Sequence, residues 1–269
     1  MLVSSTIWVL ILAIVPIILY SYLIYYLVPV NFISKHRARR YLITGLLSPS
    51  LISLFYFIFP YWDYPQSTNF ILAFIIYGII QIGALEESAK YATFWWVSKE
   101  RKSEKYDLPI AVMFYSMMSA VGFAITENIY YLIRMQKGIL NIQSVFIDTS
   151  QILSNLAWQR SMVAVVAHMI CGVIMGYFLA KAHKIKYSNN NGESKIHKNI
   201  RRYKEVLKGI FFAALFHGVF DINLLLPNNQ YERIFLSIIL GFGLVIGNFI
   251  IRELINDSLL IRKNQFKEK

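Results

Sequence analysis

The 269-residue chain has one cysteine, Cys171. No internal disulfide can form, which excludes a disulfide-stapled secreted module. A small buried hydrophobe is the ordinary role for such a thiol. Charge is also scarce: Asp, Glu, Lys and Arg make up 16% of the residues, against about 25% in an average soluble domain. Acidic side chains are the rarer kind, 15 against 27 basic ones. A disordered tail needs low hydrophobicity, and here 57% of the residues are hydrophobic. They come in runs too long to hide in one soluble core, which excludes a soluble enzyme. What is present is the composition of a polytopic membrane protein.

Seven stretches have the roughly 20 mainly apolar residues that a spanning helix needs: about Ser5–Val30, Tyr41–Pro60, Phe70–Val97, Leu108–Arg134, Ser161–Ala182, Glu205–Leu226 and Tyr231–Leu254. Lipid offers no partner to free backbone groups, so such runs are helices. The fold expected is all-α, a bundle of about seven transmembrane helices. The first run is expected to remain as a span. It lacks a basic leader, is too long for a signal core, and is followed by Lys35, Arg37, Arg39 and Arg40. Segments 31–40, 98–107, 181–204 and 252–269 carry 21 of the 27 Lys and Arg, whereas the alternate connections carry four. That asymmetry places the N-terminus outside and the C-terminus in the cytoplasm. It also reads the basic excess as a topology signal facing an anionic leaflet, not as a nucleic-acid surface. A single transmembrane domain over 1–255 is expected, with its chemistry in 70–226 and a basic cytoplasmic tail at 256–269. Residues 183–204 read as a flexible cytoplasmic loop. In 135–160, Ile142, Val145, Phe146, Ile152, Leu153 and Leu156 recur at near-helical spacing, as in a surface-lying helix over the outer face. There is no internal repeat, which removes support from an inverted-repeat transporter.

Seven ionisable groups interrupt four of the runs: Glu86, Glu87 and Lys90 in the third, Glu127 in the fourth, His168 in the fifth, His217 and Asp221 in the sixth. Each costs several kcal/mol at a lone helix centre, so they are expected to turn inward and meet. Counted at about 1.5 Å per residue, Glu87, His217 and His168 lie roughly 15, 18 and 20 Å from the cytoplasmic ends of their runs, and Glu127 roughly 28 Å. Lys90 can pair with Glu86 at i,i+4 or Glu87 at i,i+3, and the pairing rules favour Glu86, leaving Glu87 freer. A carboxylate in such a place suits water activation. The histidines can stabilise an oxyanion or join carboxylates around zinc, and Asp221 can orient His217. The candidate metal ligands are His168, His217 and Glu127; zinc is the first choice of cofactor and a metal-free site the alternative. HExxH is absent, so a metal site would be assembled across helices. Gly172–Gly176 and Gly243–Gly247 are GxxxG packing steps.

The spacings EExxK (Glu86, Glu87, Lys90), FxxxE (Phe123, Glu127), HxxxG (His168, Gly172) and HxxxD (His217, Asp221) follow one another on four successive runs. In this the chain resembles the PrsW family of intramembrane proteases, related to the CAAX-processing endopeptidases and the bacterial CPBP proteins. The resemblance covers residues 86–221. It implies catalytic roles for Glu86, Glu87, Glu127, His168 and His217, with Asp221 beside them. It also implies hydrolysis of a peptide bond in or next to the span of another membrane protein. In bacteria, that partner would be a single-span anti-sigma factor, and the place the plasma membrane. Two other classes compete: a proton-coupled carrier using the same Glu and His groups as a relay, and a non-catalytic membrane adaptor whose ion pairs fix helix register.

Overall fold

The computed structural model describes residues 32–59, 74–99, 107–141, 160–188, 194–225 and 230–267, together with Ile18, Tyr22 and Gly192. These residues are helical throughout their ordered elements, with no strand among them. Helix α1 is Lys35–Ile58. Helix α2 begins with a π-helical segment, Phe74–Ala84, and continues as α-helix over Leu85–Lys99. Helix α3 is Pro109–Asn141. Helix α4 likewise has a short π-helical start, Arg160–Ala164, before Val165–Tyr187. Helices α5 and α6 are Lys195–Leu225 and Gln230–Lys267.

Among the described residues, four helical stretches are long and apolar enough to cross a membrane: Lys35–Ile58, Pro109–Arg134, Arg160–Tyr187 and Ser237–Lys263. Helices α2 and α5 carry the charges of the EExxK and HxxxD motifs and pack among them. Apart from Ile18 and Tyr22, the expected first span lies outside the described residues, as do the hydrophobic positions of the outer surface helix, while the described residues 135–141 continue α3 to Asn141. The basic loop expected over 183–204 is mostly helix instead. Helix α4 continues to Tyr187 and α5 already begins at Lys195. The hydropathy criterion stops a span at its first charges, whereas the backbone ladder continues into water wherever residues such as Lys and Arg favour it.

Helix α3 is the centre of the bundle. Pro109 opens it, where a missing N–H costs nothing, and Ile110 through Val121 are buried on every side, the pattern of a helix enclosed by others. Its neighbours approach through small residues. In α1 the buried positions Ala38, Tyr41, Gly45 and Ser48 share one stripe, and a Cβ on Gly45 or Gly122 would run into backbone of the opposite helix. The Thr126 hydroxyl then donates to the Leu46 carbonyl at 2.9 Å. Tyr41 stacks on both Phe94 and Tyr115, with ring centroids 4.8 and 5.0 Å apart. Helix α4 meets α3 through its GxxxG step, where added Cβ atoms would sit 2.8 and 2.7 Å from the Cα atoms of Met117 and Met113. Helix α2 crosses α5 at Gly78 and Gly83, against Gly218 and Ala214. The second GxxxG step is looser. Gly243 meets the Phe216 ring, but the nearest atom to a Cβ on Gly247 is a Val173 methyl at 3.9 Å.

The remaining faces of α1 and α6 are apolar and exposed, including Leu47, Leu54, Phe57, Phe242, Val245 and Phe249, as lipid-facing surfaces are. Met113, Met117 and Met118 are core. Trp95 and Trp96 lie exposed near the end of α2.

Gly122→Ala should therefore lower the thermal unfolding midpoint of the purified protein, an overpacking cost of about 1–3 kcal/mol, while Gly247→Ala should leave it unchanged or slightly raised. Equal effects at the two positions would contradict the packing described.

Candidate active site

The charged motifs meet where α2, α3, α4 and α5 converge. Glu87 is fully buried in the second half-turn of the α-helical part of α2. Its Oε1 accepts from Lys90 Nζ at 2.7 Å and from His217 Nδ1–H at 2.9 Å. The pairing expected from helix rules is thus reversed: Glu87 holds Lys90, and Glu86 stands 3.9 Å from the ammonium. The reason lies on the neighbouring helix. Glu86 Oε2 turns toward α5, 3.4 Å from His217 Nε2. It is buried and has no hydrogen-bond partner among the described residues.

Lys90 also reaches α4, with Nζ 3.1 Å from His168 Nδ1. An ammonium has only protons to give, so Nδ1 is the acceptor and Nε2 carries the ring proton. That proton goes to Glu127 Oε2 at 2.7 Å. His217 has carboxylates at both ring nitrogens: Nδ1 faces Glu87, and Nε2 lies 3.4 Å from Glu86 Oε2 and 3.3 Å from Asp221 Oδ2. Ionised carboxylates only accept, so Glu87 and Asp221 hold the ring from opposite sides. The two imidazoles lie edge to face with centroids 4.9 Å apart.

Each motif spacing now has a physical reason. Phe123 lies one turn before Glu127 and lays its ring under Lys90, 4.1 Å from Nζ, and beside His168, a cation–π contact in a dry setting. Gly172, one turn after His168, lets α4 come close enough to α3 for Glu127 to reach it. The excess depth counted for Glu127 disappears as well. Helix α4 runs five residues beyond its expected end at Ala182. Counted along the observed helices, Glu127 is about 27 Å from Pro109 and His168 about 28 Å from Tyr187.

Three residues of the site were not singled out by sequence. Arg160, the first residue of α4, donates from Nη2 to Glu127 Oε1 at 2.9 Å and from Nε to Asn128 Oδ1 at 3.1 Å. Its guanidinium carbon lies 3.9 Å from the centroid of the Tyr131 ring. The available signal was a basic residue in a connection where such residues are scarce. Cys171 is buried and its thiol faces the Ala213 carbonyl at 3.6 Å.

Glu86, His168 and His217 offer ligand atoms that all lie within 4.8 Å of one another. Together with the unpartnered Glu86 oxygen, this donor set fits a divalent ion held by imidazole and carboxylate. His168 has Nδ1 on Lys90 and Nε2 on Glu127, so it would ligate an ion by exchanging its Lys90 contact. Glu127 is engaged on both oxygens, by Arg160 and His168, and Glu86 stands in a carboxylate–histidine triple where sequence suggested Glu127.

The chain is 29% identical over 146 residues to the protein named Protease PrsW of Oceanobacillus iheyensis, covering 54% of this chain and 53% of the relative. It is 24% identical over 155 residues to the Protease PrsW of Clostridioides difficile, covering 58% and 52%. In these matches the chain spans about half the length of the curated relatives. No solved structure matches. The family model described as PrsW family intramembrane metalloprotease matches residues 35–248, a range that contains every member of the charged cluster, and the chain belongs to that family.

Proposed function

We propose that the protein is an intramembrane endopeptidase that hydrolyses a peptide bond in or beside the membrane span of another membrane protein. The observation that carries this reading is Glu86. It is a carboxylate with a buried oxygen that no hydrogen bond engages, set 3.4 Å from the His217 nitrogen that Asp221 also approaches, while Glu87 holds the other nitrogen.

In this mechanism Glu86 takes a proton from water as the water oxygen attacks the scissile carbonyl carbon. Lys90, held in place by His168, provides positive potential where the carbonyl oxygen gains charge. The tetrahedral intermediate collapses as the C–N bond breaks, and the proton held by Glu86 passes to the departing amine. Glu87 and Asp221 hold His217 in place, and Glu127 does the same for His168. Enclosure by apolar helices strengthens each of these contacts. Glu86, His168 and His217 are also the residues that would hold a divalent metal, zinc foremost. Such an ion, when bound, polarises a carbonyl and makes water acidic enough to act as hydroxide near neutral pH.

The same reading gives a chain of about seven spans in the bacterial plasma membrane, with the N-terminus outside and the C-terminus in the cytoplasm. Its support is the 21-to-4 division of Lys and Arg. The substrate class that the family resemblance suggests is a single-span protein such as an anti-sigma factor.

Glu86→Gln, Glu87→Gln and His217→Gln should each reduce cleavage of a co-expressed single-span reporter by at least about 100-fold, while membrane insertion of the variant is unchanged. Cleavage that survives both Glu87→Gln and His217→Gln would overturn the peptidase reading. A carrier would instead show proton flux in liposomes altered by Glu127→Gln, and an adaptor would tolerate all these changes.

Metal content of the purified protein tests the ion separately. The metal-bound site should hold about one ion per chain, the number one such donor triple accommodates, and both Glu86→Gln and His217→Gln should lower that stoichiometry. Full reporter cleavage by chelated, metal-free protein would remove the ion from the mechanism.

A further inference from the structure

Arg160 is absent from the four motifs, yet it is the cation that completes their network. It sits two turns before His168 on the same helix and reaches across to α3, where Glu127, Asn128 and Tyr131 receive it together. Its side chain is 13% exposed and that of Glu127 12%, so the pair lies at the edge of the cluster.

The geometry is that of a clamp. A guanidinium is a planar fork, and three of its faces are used here: Nη2 on a carboxylate oxygen, Nε on an amide oxygen, and the plane on an aromatic ring. With Oε1 fixed in this way, Glu127 presents Oε2 to His168 and nowhere else. That contact selects the Nε2–H form of His168, which leaves Nδ1 as acceptor for Lys90. Lys90 in turn holds Glu87, and Glu87 holds His217. Without the guanidinium, Glu127 would be a nearly buried anion opposed by one imidazole alone, an expensive arrangement. Its cheapest relief would be to turn toward the exposed edge. His168 would then lose the partner that decides which ring nitrogen faces Lys90.

We infer that Arg160 is a positioning residue for the hydrolytic site, acting through Glu127 to fix the orientation and tautomer of His168. This rests on the peptidase reading above for its effect on turnover, but not for its effect on His168.

Two readouts test it. In reporter cleavage, Arg160→Gln should lower kcat about tenfold or more with KM changed less than about twofold, the signature of an interaction that serves the reacting state and not substrate binding. Arg160→Lys, which keeps the charge but not the fork, should lose about threefold. Added guanidinium ion should restore part of the activity of Arg160→Ala. Independently of activity, 15N-histidine NMR of the full chain in lipid should show one Nε2–H tautomer for His168 in the native protein and a mixture in Arg160→Gln. Native kcat and a single unchanged tautomer in a folded Arg160→Gln would overturn the proposal. Should that variant not fold, Asn128→Ala decides, because it frees one edge of the clamp without removing charge. Loss of about threefold in kcat with a mixed His168 signal supports the proposal, and no change in either overturns it. A native protein that cleaves no reporter would defeat the peptidase reading, and the His168 measurement would still decide the role of Arg160.

Discussion

Ionised groups enclosed by apolar helices must be matched in sign and in hydrogen bonding, or the bundle does not close. The Glu87–Lys90 contact is where this requirement is met first, and the rest of the site is built outward from it. Of its three protons, Lys90 gives one to Glu87 and one to His168. Glu87 has lone pairs for two donors, Lys90 and His217. The two residues are one turn apart on α2, yet they recruit side chains from α4 and α5. Glycine makes that recruitment possible. Where Gly78 and Gly83 meet Gly218 and Ala214, and where Gly172 meets α3, the backbones lie close enough for short acidic and imidazole side chains to touch.

The arrangement also separates two kinds of histidine. His168 is saturated, one nitrogen on Glu127 and the other on Lys90. His217 has Glu87 at Nδ1 and turns its Nε2 to a pair of carboxylates, Glu86 and Asp221. Two imidazoles less than 5 Å apart therefore differ in what they can do. One sits between a cation and a carboxylate, and the other sits among three carboxylates.

Much of this was legible in the sequence, because a charge inside an apolar run is expensive and therefore informative. The four helices, the inward convergence and the identity of the cluster all follow from that. The partner choices were not legible. Pairing rules for a single helix put Glu86 with Lys90, but the competing attraction of His217 on α5 decides the matter, and that is a tertiary fact. Arg160 escaped notice because hydropathy assigned it to a connection just outside a span, when it is the first helical residue of α4. The basic stretch before Glu205 was misjudged for a related reason. Exposed Lys and Arg sustain a helix in water as well as leucine does in lipid, and a hydropathy window cannot see a helix that leaves the membrane. Nothing in the sequence distinguished the π-helical starts of α2 and α4 from ordinary helix.

Those two wide-turned segments have a common placement. Phe74–Ala84 ends two residues before Glu86, and Arg160–Ala164 ends four residues before His168. A π-helical turn holds more residues than an α-helical one, so it resets the angular phase of everything that follows. Each residue advances an α-helix by about 100°. An ordinary α-helix started from the same Phe74 would turn Glu86 and Glu87 together to another side of α2. The aim of the acidic pair is thus stored several residues upstream, in backbone winding, and in this chain the EExxK carboxylates face the cluster with that phase offset before them.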